Sequence, residues 1–192
     1  MRRYHKKLSC IALMMCIVLF QYGCTFKPLQ MSKDEISDKN TRGGIVFGSI
    51  LVQVNDPKND SAWQTFLKGK KGSDFKYRFL VANIGGVLAS NEIVVDPNVE
   101  KTFVAKLEGG NYKIFRMYTG KGYHTDTDIH FAVIPNQITY IGKLKVDMPE
   151  RVHVFSKLSL KIEDDQLVAI SQIKHDYGFD VDNVTVVRLR TE

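Results

Sequence analysis

The stretch "HTDTDIH", His124 to His130, gathers the chain's most metal-competent side chains. At strand spacing His124, Asp126, Asp128 and His130 project from one face, and two imidazoles with two carboxylates suit Zn²⁺ or Mn²⁺. Geometry limits the idea, because four such residues along one extended strand span about 20 Å, far more than one ion bridges. Only a neighbouring pair, Asp128 with His130, can share an ion without a ligand from another strand. The expected role is a polar outward face, with Ile129, Phe131 and Val133 turned inward. The expectation is no metal and no cofactor, with Asp128 and His130 the pair a metal would use.

Other chemistry is thinner. Ser and Thr are plentiful, but no Gly-x-Ser-x-Gly elbow occurs. The paired Asp164-Asp165 precedes a helical pattern and reads as a cap, not as an acid–base pair. "KGKKG", Lys68 to Gly72, brings three ammonium groups together, yet it lacks the Ser or Thr of a phosphate loop and reads as a solvated hairpin tip. In "NDSAWQTFLKG" Trp63, Phe66 and Leu67 fit core packing at i, i+3, i+4 spacing; an exposed Trp63 would instead anchor a partner, as in an inhibitor or adhesin. These residues argue for a non-enzyme. The alternative is a metal-assisted envelope enzyme, or a metal-binding protein, built on His124 to His130.

Cys24 is the residue with a chemical future. The chain opens with Arg2, Arg3, Lys6 and Lys7, followed by the 13 residues Leu8 to Phe20, in which only Ser9 is polar. A basic cap and an apolar run this short form a secretory signal, since a spanning helix needs about 20 apolar residues. Cys10 and Cys16 leave with residues 1–23, so Cys24 becomes the sole cysteine, unable to form an internal disulfide or a cysteine zinc site. Gly23-Cys24 directly after the apolar core resembles a bacterial lipobox, although Gln21 and Tyr22 depart from the usual Leu and Ala or Ser. That resemblance implies a diacylglycerol on the Cys24 thiol, amino-terminal acylation (typically palmitate), and attachment to a membrane. Thr25 stands where Asp retains Gram-negative lipoproteins in the inner membrane, so the resemblance favours the outer membrane.

Removing the leader changes the charge. The full chain has 27 basic and 21 acidic residues; without four leader cations the balance is 23 to 21, a net of +2. Near neutrality gives no electrostatic footprint for nucleic acid.

Behind Cys24, residues 24–43 are polar and mixed in charge with no apolar period. They read as a flexible tether reaching on the order of 25 Å. Residues 45–192 number 148, the size of one domain. Their signal is alternation: Phe75, Tyr77, Phe79 and Val81; Phe103, Ala105 and Leu107; Tyr112 and Ile114; Ile129, Phe131 and Val133; Ile138, Tyr140, Leu144 and Val146. Further strands are expected at Ile45 to Val54, Val152 to Ile162 and Val184 to Arg190. Gly109-Gly110-Asn111 and Pro135-Asn136 supply turns. The expected fold is a mainly β, antiparallel sandwich. One short helix follows Asp165, with Leu167, Ile170 and Ile173 at helical spacing and Gly178 ending it, placed to cover an end or edge of the sandwich.

With these strands in place, Leu107, Gly110 and Tyr112, then Phe131, Val133, Pro135, Tyr140, Ile141 and Gly142, resemble the motifs of small bacterial envelope lipoproteins. Their sandwich is similar to the transthyretin-like or carboxypeptidase-regulatory-like type. The match spans roughly Glu100 to Val146, with Glu108 and Asn136 replacing the usual Pro and Gly. It implies a fold and no catalytic residues. The partner expected on this reading is another envelope protein, with glycan or lipid second.

Overall fold

A computed structural model describes residues 27–30, 43–55, 72–85, 90–120, 123–149, 158–178 and 184–191. The leader, Cys24, Trp63, Lys68 to Lys71 and the first part of the strand expected from Val152 lie outside them. Among the described residues the chain is mainly β, in two sheets, with one α-helix and a short 3-10 turn at Gly72–Asp74. The strands are β1 (Lys27–Pro28), β2 (Gly43–Asn55), β3 (Tyr77–Asn83), β4 (Ser90–Val95), β5 (Lys101–Glu108), β6 (Gly110–Thr119), β7 (Tyr123–Val133), β8 (Ile138–Pro149), β9 (Ser159–Glu163), β10 (Val184–Val186) and β11 (Arg190–Thr191); helix α1 is Gln166–Tyr177.

The first sheet runs β1-β4-β3-β6-β7-β11, and the second runs β10-β8-β2-β5 with β9 also on β8. Their inward faces meet in one core. Tyr77, Phe79, Val81, Ile114, Ile129 and Phe131 from the first sheet pack with Val46, Ile50, Phe103, Leu144 and Val146 from the second. The pairing is mixed and not purely antiparallel as expected: β2–β8, β8–β10 and β1–β4 are parallel.

Two of the corners that carry the chain between sheets fall at the expected turns. Asn136, at φ 60°, occupies the left-handed region expected of it between β7 and β8. At the β5–β6 corner Tyr112 stacks on Phe131 with ring centroids 5.5 Å apart, and its hydroxyl donates to the Glu108 carbonyl at 3.0 Å. The residues expected to mark motifs therefore hold corners and core.

Strict alternation fails where strands bulge. In β8, Tyr140 joins Phe47 and Val104 against α1, whereas Ile141, Leu144 and Val146 face the core. The expectation that Tyr140 and Leu144 share a face is thus wrong. Gly142, at φ 103°, absorbs an extra residue where the β2–β8 register shifts, and that flips every later side chain. Gly48 lies opposite, so close that a Cβ there would stand 2.6 Å from the Gly142 carbonyl oxygen. A second bulge, where Ile114 and Arg116 stand opposite the adjacent Val81 and Leu80 of β3, does the same in β6 and turns Met117 inward. The buried Thr127 hydroxyl donates to the carbonyl of Ile114 there, at 2.8 Å.

Helix α1 lies on the outer face of the second sheet and not over an end or edge, because Phe47, Val104 and Tyr140 present a second apolar surface there to Ala169 and Ile173. Asp165 occupies its N-cap position, but the side chain makes no capping bond. It accepts from Lys143 Nζ at 2.9 Å instead, and its own N–H donates to the Tyr140 hydroxyl. Gly178 closes the helix in the left-handed conformation, as expected.

The expected last strand is two. β10 pairs with β8, and then the chain crosses to the first sheet as β11, burying Leu189 between them. On the opposite side β1 lies on β4, and the Leu29 N–H donates to the Glu92 carbonyl at 2.8 Å. Leu29 is 5 % exposed and belongs to the core. The tether expectation therefore fails at Lys27 to Leu29: an apolar side chain flanked by backbone that can pair an open sheet edge docks there. Pro28 suits that position, since an edge strand tolerates a residue without N–H.

Candidate functional site

Strand β7 presents His124, Asp126, Asp128 and His130 outward, as the alternation requires, with Thr127, Ile129 and Phe131 buried behind them. Neighbouring β6 supplies cations in register. Arg116 Nε donates to Asp126 Oδ1 at 2.6 Å, and Lys113 pairs with Asp128, whose same oxygen lies 3.0 Å from His130 Nε2. The hydrogen bond from Arg116 holds the Asp126 carboxyl below the ordinary range; bonds from Lys113 and then His130 do the same for Asp128. His124 packs against the Tyr118 ring with centroids 5.7 Å apart, and the Arg78 guanidinium lies over the same ring at 5.4 Å from its centroid. This face is a cross-strand charge ladder. Asp128 and His130 do come together, but with Lys113 as their third member. Among the described residues no three His, Cys, Asp or Glu side chains converge to hold a metal ion.

A groove of about 830 Å³ lies beside the ladder, where β3, β6 and β7 meet the C-terminal segment. Asn83, Ile84, Asn111, His130, Arg188 and Arg190 line it, with two guanidiniums and two carboxamides among them. Arg188 is held by Asp164 at 2.6 Å. Ile84 is 54 % exposed, high for a large apolar side chain at a polar rim. Such a groove can take an anion with an apolar portion. Sequence reading missed it, although "VRLR" alternates Arg188 and Arg190 around the buried Leu189 and carried the signal.

A second groove, about 570 Å³, lies towards the other end between the β4–β5 turn and α1. Asp96, Glu100, Asp165 and Asp176 line it together with Val99 and Val168. Its wall is fixed by Lys143, 12 % exposed, whose Nζ stands 2.8 Å from Glu100, 2.9 Å from Asp165 and 3.9 Å from Glu163. Burial pulls the Lys143 pKa down, but the bonds it donates to Glu100 and Asp165 together outweigh it and hold the ammonium above the usual lysine range. Leu167 and Val168 are exposed on the adjoining helix face.

No family model, curated protein or solved structure matches this chain. Among the described residues no helix is long and apolar enough to cross a membrane.

Proposed function

We propose that this chain is a bacterial envelope lipoprotein, held to a membrane by acyl groups on Cys24, whose β-sandwich is a non-catalytic binding or structural module. The observation that carries the reading is Gly23-Cys24 at the foot of a basic-capped apolar leader, with no other cysteine after it. One acyl chain gives marginal membrane affinity, so stable attachment calls for the two or three chains such a cysteine carries. Thr25 favours delivery to the outer membrane. The pairing of Lys113, Arg116, Asp126, Asp128 and His130 with one another supports a structural role for the β7 face over a catalytic one. The acidic groove and the exposed Leu167 and Val168 beside it are surfaces available to an envelope protein partner.

Growing producing cells with labelled palmitate tests the reading. The native protein should take up label and partition with membranes, and Cys24→Ser should abolish both. Intact mass showing an unmodified thiol on freely released protein would refute it.

A further inference from the structure

The sandwich begins very close to Cys24. Only three residue steps separate Cys24 from Lys27, and a fully extended chain covers at most about 3.6 Å per step, so the reach is about 11 Å. Lys27 is fixed in the first sheet by its parallel pairing with Asn91, so β1 is entered from the end of the sheet that carries Ser90. Ser90, Ala82, Lys113, His130 and Arg190 lie side by side across that end. Ile84 and Asn111, just beyond this row, complete the groove of Arg188 and Arg190.

We infer that this end of the sandwich rests on the bilayer and that its groove contacts the headgroups of anionic lipids. The inference rests on lipidation of Cys24 as proposed above. An acyl-bearing residue sits at headgroup depth, and about 11 Å of chain leaves no room to turn the domain's far end toward the lipid. Charge agrees with reach. The near groove offers Arg188 and Arg190 and an exposed isoleucine, whereas the far groove offers Asp96, Glu100, Asp165 and Asp176, whose charge stays in excess of its cations Lys101, Lys143 and Lys76. An anionic surface attracts the first and repels the second, within a Debye length. Asp164 already holds Arg188, and Glu108 is exposed at the near end, so Arg190 carries most of the contact.

The test uses the full lipidated protein, reconstituted into phosphatidylcholine vesicles with or without phosphatidylglycerol and doped with nitroxide-headgroup lipid. A thiol-coupled fluorophore is placed at Ile84→Cys or at Val99→Cys. Both sites are more than half exposed, and they lie at opposite ends of the sandwich. The ends are separated by roughly 20 Å of strand, several times the range of contact quenching. The label at 84 should be quenched several-fold more than the label at 99, and phosphatidylglycerol should widen the difference. Arg190→Gln should remove most of that gain, as expected if one arginine at an anionic surface is worth a roughly five-fold change in contact.

Equal quenching at both sites, or stronger quenching at 99, overturns the orientation. No response to phosphatidylglycerol or to Arg190→Gln overturns the headgroup contact. Intact mass of the same preparation separates the two levels: a free Cys24 thiol refutes the anchor itself, while an acylated protein with symmetric quenching refutes only the placement.

Discussion

Replacing Leu29 by Ala distinguishes a docked strand from a tether. A residue in a solvated linker contributes almost nothing to folding, and such substitutions usually change stability by less than about 0.5 kcal/mol. Leu29 is 5 % exposed, packed into the core, and held by its backbone bond to Glu92. Core Leu→Ala changes cost about 2–5 kcal/mol through lost transfer energy and residual cavity, and a site at a sheet edge relaxes more than a central one. The expected loss is therefore about 2–3 kcal/mol, near the lower bound. For a domain of this size that corresponds to a melting point lower by roughly 5–10 °C. The assay is urea and thermal unfolding by far-ultraviolet circular dichroism, with every variant in a Cys24→Ser background lacking the leader. Leu189→Ala serves as the matched comparison, since Leu189 is 4 % exposed and seals the opposite side of the sandwich. The two leucines are separated by the width of a sheet, so their costs should add. A Leu29→Ala loss below about 0.5 kcal/mol, beside a large one for Leu189→Ala, would refute the docked β1.

The split of β8 predicts that Gly142→Ala, forced to φ 103°, loses about 2 kcal/mol in denaturant unfolding. Gly48→Ala should cost more, because its Cβ would meet backbone at 2.6 Å and push β2 from β8. Lys143→Met leaves Glu100, Asp165 and Glu163 facing each other without their common cation, and should lower stability by about 2 kcal/mol while loosening α1 in hydrogen exchange. Burial pushes the Tyr77 hydroxyl up to about 12 from an ordinary 10.0. Its neutral form thus contributes stability that is full below pH 10 and is lost as pH rises towards 12; Tyr77→Phe should flatten that alkaline limb in a pH series of melting points.

What the sequence disclosed, and what it hid, follows from the range over which each signal acts. Period two in "TFVAKL" and "DIHFAV" reports a local requirement, one face buried and one wet, and β5 and β7 appear where that requirement places them. The outward set from His124 to His130 was legible for the same reason. Its partners were not, because Lys113 and Arg116 reach it only through the β6–β7 register, which a bulge shifts between Ile114 and Arg116. β4 went unread although Ile93 and Val95 alternate ahead of the Asp96-Pro97-Asn98 turn; the run is only six residues long. Leu29 gave no periodic signal at all, since a two-residue strand is specified by the open edge of β4 and not by its own composition.

The helix shows the same division of information. Leu167, Ile170 and Ile173 announced an amphipathic turn, yet Leu167 is 84 % exposed and Ala169 is buried in its place. The face that docks was chosen by Phe47, Val104 and Tyr140, distant in sequence but directly opposite one another across β2, β5 and β8, and Tyr140 faces out while Leu144 and Val146 face in only because of the bulge at Gly142. That dependence makes the bulge, and not the helix pattern, the determinant of where α1 lies. The bulge therefore also fixes where Asp165 meets Lys143 and where the acidic groove opens, far from the end that Cys24 tethers.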